Sequence, residues 1–81
     1  MKVLAEIEVE TLYRGRQKIN QVEIFTELNE HKDIGWKVDG IYGSTHYILG
    51  FHYGLSEAID QFSDIQCRLL RAQEEAAEKR R

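Results

Sequence analysis

Proline is missing from this 81-residue chain, and cysteine occurs once. Without proline there is no rigid break or obvious linker, so residues 1–81 are expected to form a single compact domain. The lone thiol, Cys67, excludes an intrachain disulfide and a cysteine-built zinc site. A cytoplasmic protein without metal or cofactor is the expectation. Long apolar runs are also lacking: nothing approaches the ~20 residues that span a bilayer. Glutamates interrupt the opening "MKVLAEIEVE" at every second position from Glu6, which leaves no apolar stretch for a signal peptide. Nor is there an excess of positive charge. The formal net charge is −3, which argues against generic affinity for a phosphate backbone.

What is present is 42% hydrophobic and 31% charged residues, an ordinary globular balance. A chain this short buries only about 60% of its unfolded surface, so a partner surface adds much to its stability. Residues 3 to 13 alternate: Val3, Ala5, Ile7, Val9, Thr11 and Tyr13 point one way, and Glu6, Glu8 and Glu10 the other, which predicts a half-buried strand. "RGRQK" follows as a charged break around Gly15. The segment "INQVEIFTELNEHKDI" fits two readings. Its β-branched content favours a strand. Asn20 as N-cap and Gly35 as C′ residue suit a helix. In the strand reading, a loop at 14–17 pairs Val9 with Val22 and Ile7 with Ile24. It also sets Glu8 against Glu23, a like-charge pair.

Gly43-Ser44 suits a two-residue type II′ turn. Folding back around it pairs Tyr42 with Thr45, Gly40 with Tyr47, Val38 with Leu49 and Trp36 with Phe51 on one inward face. His46, Ile48 and His52 then face outward. Beyond Gly54, Ala58, Phe62, Ile65, Leu69, Ala72 and Ala76 recur at helical spacing, with Ser56 as the expected N-cap. The helix runs to about residue 78, and residues 71–81 overhang or fray. The expected fold is therefore α+β: a small antiparallel sheet of three to four strands, ββββα or βαββα, against one long C-terminal helix. Its expected core is Val3, Ile7, Val9, Val22, Trp36, Val38, Tyr47, Leu49, Phe51, Ile59, Phe62, Ile65 and Leu69.

Chemistry-bearing residues do not assemble into a motif. His46 and His52 sit about 20 Å apart along one strand and cannot ligate one ion. Ser44 and Thr45 adjoin His46 in sequence, yet Thr45 and His46 project to opposite faces. Cys67 reads as a small, at least partly buried hydrophobe. No catalytic residue is assigned, and the expectation is a non-enzyme. The expected function is docking on a partner protein, as a regulator, inhibitor or assembly subunit, with a homodimer formed through the C-terminal helix. A phage or mobile-element accessory protein is one such role. Candidate contact residues are Glu6, Glu8 and Glu10, Arg14, Arg16 and Lys18, His46, Ile48 and His52, and Arg68, Ala72 and Ala76. Two other readings stand beside it. One is nucleic-acid binding through Arg14, Arg16, Lys18 and the basic C-terminus. The other is a small-ligand site with His46 and Tyr42 at the rim of the aromatic hairpin.

Overall fold

The computed structural model describes residues 5–28 and 31–78. Among these, five strands form two antiparallel sheets that pack against one helix, an α+β fold. Strands β1 (Ile7–Glu10) and β2 (Arg16–Ile19) make a hairpin. Strands β3 (Gln21–Leu28), β4 (Ile34–Tyr42) and β5 (Thr45–His52) make a meander in that order. Helix α1 (Leu55–Glu78) follows directly. The sheet is thus not one continuous ladder of the kind expected. Within the ambiguous segment Gln21–Leu28 is strand, as its β-branched residues favour, and the expected core position Val3 lies outside the described residues.

The first hairpin corrects the expected pairing. Val9 opposes Gln17 and Ile7 opposes Ile19, not Val22 and Ile24. The loop is residues 11–15 rather than 14–17, so Arg16 and Lys18 are strand residues. The physical reason is charge. In the observed register Glu8 faces Lys18 and Glu10 faces Arg16, where the expected one set Glu8 against Glu23. Thr11 holds the loop: its N–H and its hydroxyl both donate to the Gly15 carbonyl at 2.8 Å, and its Oγ1 accepts from Arg14 N–H. Gly15 supplies the positive φ of 67° that L-residues adopt reluctantly. After Ile19, Asn20 alone separates β2 from β3 and donates its N–H to the Ile41 carbonyl.

The β4–β5 hairpin turns at Gly43, with φ 63°, and begins in the expected register: Tyr42 opposite Thr45, Ile41 opposite His46, Gly40 opposite Tyr47. A β-bulge then intervenes. Asp39 opposes Ile48, but Val38 opposes Gly50 and Trp36 opposes His52. Leu49 is the extra residue, so beyond it the strand is turned over relative to expectation. Phe51, expected inside, lies on the sheet face away from the helix, its ring so close over Gly35 that a Cβ there would collide with it. His52, expected outside, faces α1.

The core joins both sheets to the helix: Val9, Ile19, Val38, Leu49, Ala58, Ile65 and Leu69 are buried. Ile7, Val22, Ile24, Trp36 and Tyr47 pack against it. Ile19, absent from the expected core, is fully buried and seats on Gly40, where a Cβ would stand 2.8 Å from Ile19 Cγ2. Ile59, expected in the core, is 44% exposed because it lies about 100° round the helix from Ala58. Cys67 is exposed rather than buried, about half a turn from the seam. The helix begins one residue before Ser56, with Ala58 N–H donating to the Gly54 carbonyl at 3.3 Å. Gly54 therefore takes the capping position expected of Ser56, and the Glu57 carboxylate folds back over it, favourably placed at the positive end of the helix. From Arg71 onward only Ala72 and Ala76 are half-buried.

Candidate functional site

The helix and the β1–β2 hairpin cover one face of the β3–β4–β5 sheet. The other face carries a continuous set of side chains, fixed by the strand registers. Phe25, Lys37 and Phe51 stand in one cross-strand row, Glu23, Asp39 and Ile48 in the next, and Gln21, Ile41 and His46 in the third. The first row is aromatic with a cation between. Lys37 Nζ lies 5.3 Å from the Phe25 ring centroid and 3.1 Å from Glu27 Oε2, a cation–π contact combined with an ion pair. Tyr53, 67% exposed, meets Phe51 edge-on at 5.5 Å and 86°, the favoured arrangement for two rings.

The second row holds a charge that water does not reach. Asp39 is 5% exposed. Its Oδ1 has no hydrogen-bond partner, and its Oδ2 stands 3.7 Å from His46 Nδ1, beyond hydrogen-bonding range. Burial pushes the Asp39 carboxyl above the ordinary aspartate value. Lys37 and His46 pull it down, and Glu23 and Glu27 push it up further. Burial outweighs the pull of Lys37 and His46 because neither makes a hydrogen bond to it. Sequence reasoning missed Asp39 as a site residue. The signal was its strand position opposite Glu23, between two hydrophobic neighbours, Val38 and Ile41 being one and two residues away.

The expected contact residues divide among separate surfaces. On the outside of the β1–β2 hairpin, Glu6 pairs with Lys18 at 3.4 Å and Glu8 with Arg16 at 3.5 Å. Hydrogen bonding from the Tyr42 hydroxyl holds the Glu6 carboxyl below its usual value, and Lys18 adds to this against a little desolvation. The same bond raises the Tyr42 hydroxyl. Glu8, Arg16, Lys18, Tyr42 and Tyr47 line an open depression of ≈ 400 Å³. Glu10 and Arg14 are exposed nearby. Arg68 is committed from the helix, donating to the Glu8 carbonyl at 2.8 Å, while Ala72 and Ala76 continue the seam. His46 and Ile48 are on the outer sheet face, as expected.

His52 is not. The bulge turns it toward α1, where Gln61 Nε2 donates to the Leu49 carbonyl at 3.0 Å and Gln61 Oε1 lies 2.7 Å from His52 Nε2. With the amide oriented that way, Oε1 accepts and the imidazole proton sits on Nε2. His46 and His52 are therefore on opposite faces of the sheet. His46 and Tyr42 are too, since they belong to different cross-strand rows of alternating direction. Among the described residues no helix is long and apolar enough to cross a membrane. No family model, curated protein or solved structure matches the chain.

Proposed function

We propose that this chain is a non-enzymatic protein-binding module that acts by docking on a partner protein, as a regulator, inhibitor or assembly subunit, and that it works as a homodimer. The observation that carries the reading is the outer sheet face that no described element covers, with Phe25, Phe51 and Ile48 half-exposed, Tyr53 exposed, and a rim of Glu23 and Glu27 beside Lys37. Aromatic groups pre-positioned on a rigid sheet contact a partner at little entropic cost. The acidic excess of the rim fits a partner patch that is apolar at its centre and basic at its edge.

Nucleic-acid binding draws less support, because two of the cations it needs, Arg16 and Lys18, form ion pairs with Glu8 and Glu6. A small-ligand site at the hairpin also draws less, because its two rim residues face opposite ways. The test is capture from the source cell followed by a titration of the identified partner. Ile48→Glu together with Tyr53→Glu, both at partly exposed positions, weakens binding at least tenfold while circular dichroism is unchanged. Equal binding by the double variant removes the outer face from the proposal. A binding constant for duplex or single-stranded nucleic acid that falls steeply with salt favours the basic-hairpin reading instead.

A further inference from the structure

The flank of the molecule beside β3 is open and long, and the side of the helix above it carries no charge. Strand β3 ends its sheet, with β4 on one side and no described strand on the other. Eight residues without proline, lysine or a bulge make it an edge of the kind that accepts another strand. Above it runs one side of α1. Gln66, Leu69, Leu70 and Gln73 share a groove with Asn20, Gln21, Val22 and Glu23, which fixes that side of the helix as the β3 side. At about 100° per residue, Leu55, Ile59, Ser63, Gln66, Leu70, Gln73 and Ala77 all fall there, and none is charged. The opposite side carries Glu57, Asp64, Arg68, Arg71 and Glu75. Leu55 is 42%, Ile59 44% and Leu70 50% exposed on the uncharged side, and Leu28 and Ile34 are 59% and 69% exposed at the end of β3–β4.

From this placement we infer that the β3 edge and the uncharged flank of α1 together form a homodimer interface, in which β3 pairs antiparallel with β3 of a second copy across a twofold axis at Ile24. The inference rests on the homodimer part of the function proposed above and replaces the helix overhang as its location. The register argues for a second copy. A twofold pairing keeps each side chain on its own sheet face, so the axis must pass through a residue. An axis at Glu23 sets Glu23 against itself, and an axis at Phe25 sets Glu23 against Glu27 twice; both place like charges opposite each other. An axis at Ile24 pairs Ile24 with itself, Val22 with Thr26, Glu23 with Phe25 and Gln21 with Glu27, with no like charges directly opposite. Glu27 is already met by Lys37. An axis at Thr26 also avoids repulsion but pairs only residues 24 to 28.

The same axis brings the two helices side by side and antiparallel on one face, uncharged flank to uncharged flank, with Leu70 of each copy near the β3 start and Ile59 near its end. It joins the two outer faces into one six-stranded surface, so a partner meets two sets of Phe25, Phe51 and Tyr53. A dimer of this kind leaves the outer face free, and loss of dimerisation is separable from loss of docking.

Sedimentation equilibrium of the full chain, with amide hydrogen exchange on the same samples, tests this. The expected mass is twice the 9.5 kDa of one chain, with β3 amides exchanging more slowly as concentration rises. Leu70→Glu combined with Ile59→Glu yields a folded 9.5 kDa species, judged by circular dichroism, with the β3 protection lost. Ile48→Glu with Tyr53→Glu, on the outer face, leaves the dimer intact. A wild-type monomer at all concentrations overturns the inference, as does a dimer that survives the helix-flank pair or one in which β3 protection does not depend on concentration. Should the helix-flank pair fail to fold, Cys67→Ser with Ile24→Cys decides: opposed residues at the axis close a disulfide-linked dimer under mild oxidation, and its absence overturns the register.

Discussion

Replacing Asp39 by asparagine isolates the cost of a buried, unbonded charge. The side chain is nearly inaccessible, one carboxylate oxygen has no partner, and the half-exposed His46 imidazole is 3.7 Å away. A Coulomb attraction at that range is screened by the water around His46 and opposed by Glu23 and Glu27, so it does not offset desolvation. The upward shift of the Asp39 carboxyl expresses this balance. The sign follows by linkage. A carboxyl whose folded pKa exceeds its unfolded value binds more protons in the native state, so its stabilising contribution is full below the ordinary aspartate value of 3.8. It is lost as pH rises through the folded pKa. The asparagine side chain is nearly isosteric and uncharged at every pH. Asp39→Asn is therefore expected to be about 1 kcal/mol more stable than wild type at pH 7, or roughly 4–8 °C in Tm for a domain of this size. The difference narrows as pH approaches 4. Thermal unfolding followed by circular dichroism from pH 4 to 7 measures it. A variant less stable than wild type at pH 7, or a difference independent of pH, would refute the burial argument and show that the carboxylate is held by a favourable interaction.

Four further substitutions probe the packing. Ile19→Ala should cost about 2–5 kcal/mol, since the side chain is fully buried, while Ile59→Ala on the exposed flank costs well under that; equal losses in urea unfolding would contradict the observed core. Gly40→Ala drives a methyl against Ile19 and Leu49 and should cost about 1–3 kcal/mol, again read from the urea midpoint. Gly50→Ala places a methyl where Gln61 Oε1 sits, so it should break the Gln61–His52 contact and cost about 1–2 kcal/mol; unchanged stability, with an unchanged His52 signal in NMR, would mean the bulge is not needed there.

The long helix was legible because its seam repeats at helical spacing across six positions, from Ala58 to Ala76. The β4–β5 turn was legible because Gly43 meets a positive-φ requirement few residues can. Two features were hidden for different reasons. Strand β2 is spelled Arg-Gln-Lys-Ile, which by composition resembles a loop. It is a strand because Glu8 and Glu10 lie opposite, and the unfavourable Glu8–Glu23 pair in the alternative register was the warning. The bulge at Leu49 was hidden because strict alternation sorts Trp36 and Phe51 inward so well. An isolated glycine inside a strand, Gly50, was the available signal, and the bulge beside it moved Phe51 to the outer face and His52 to the inner. Asp39 escaped notice because burial of an outward-facing strand residue depends on neighbours from two other strands. The β3-side flank of α1 could not be recognised before its orientation was known, since absence of charge matters only once one side is seen to border an open edge.

The account rests most on that exchange at the bulge, because it makes the outer sheet face aromatic. Nuclear Overhauser contacts of the Phe51 ring test it directly. Contacts to the Gly35 α-protons and to Lys37, with His52 contacting Gln61, are the predicted result. Contacts from Phe51 to Ile65 or Phe62 on the helix, with His52 free of Gln61, would contradict it.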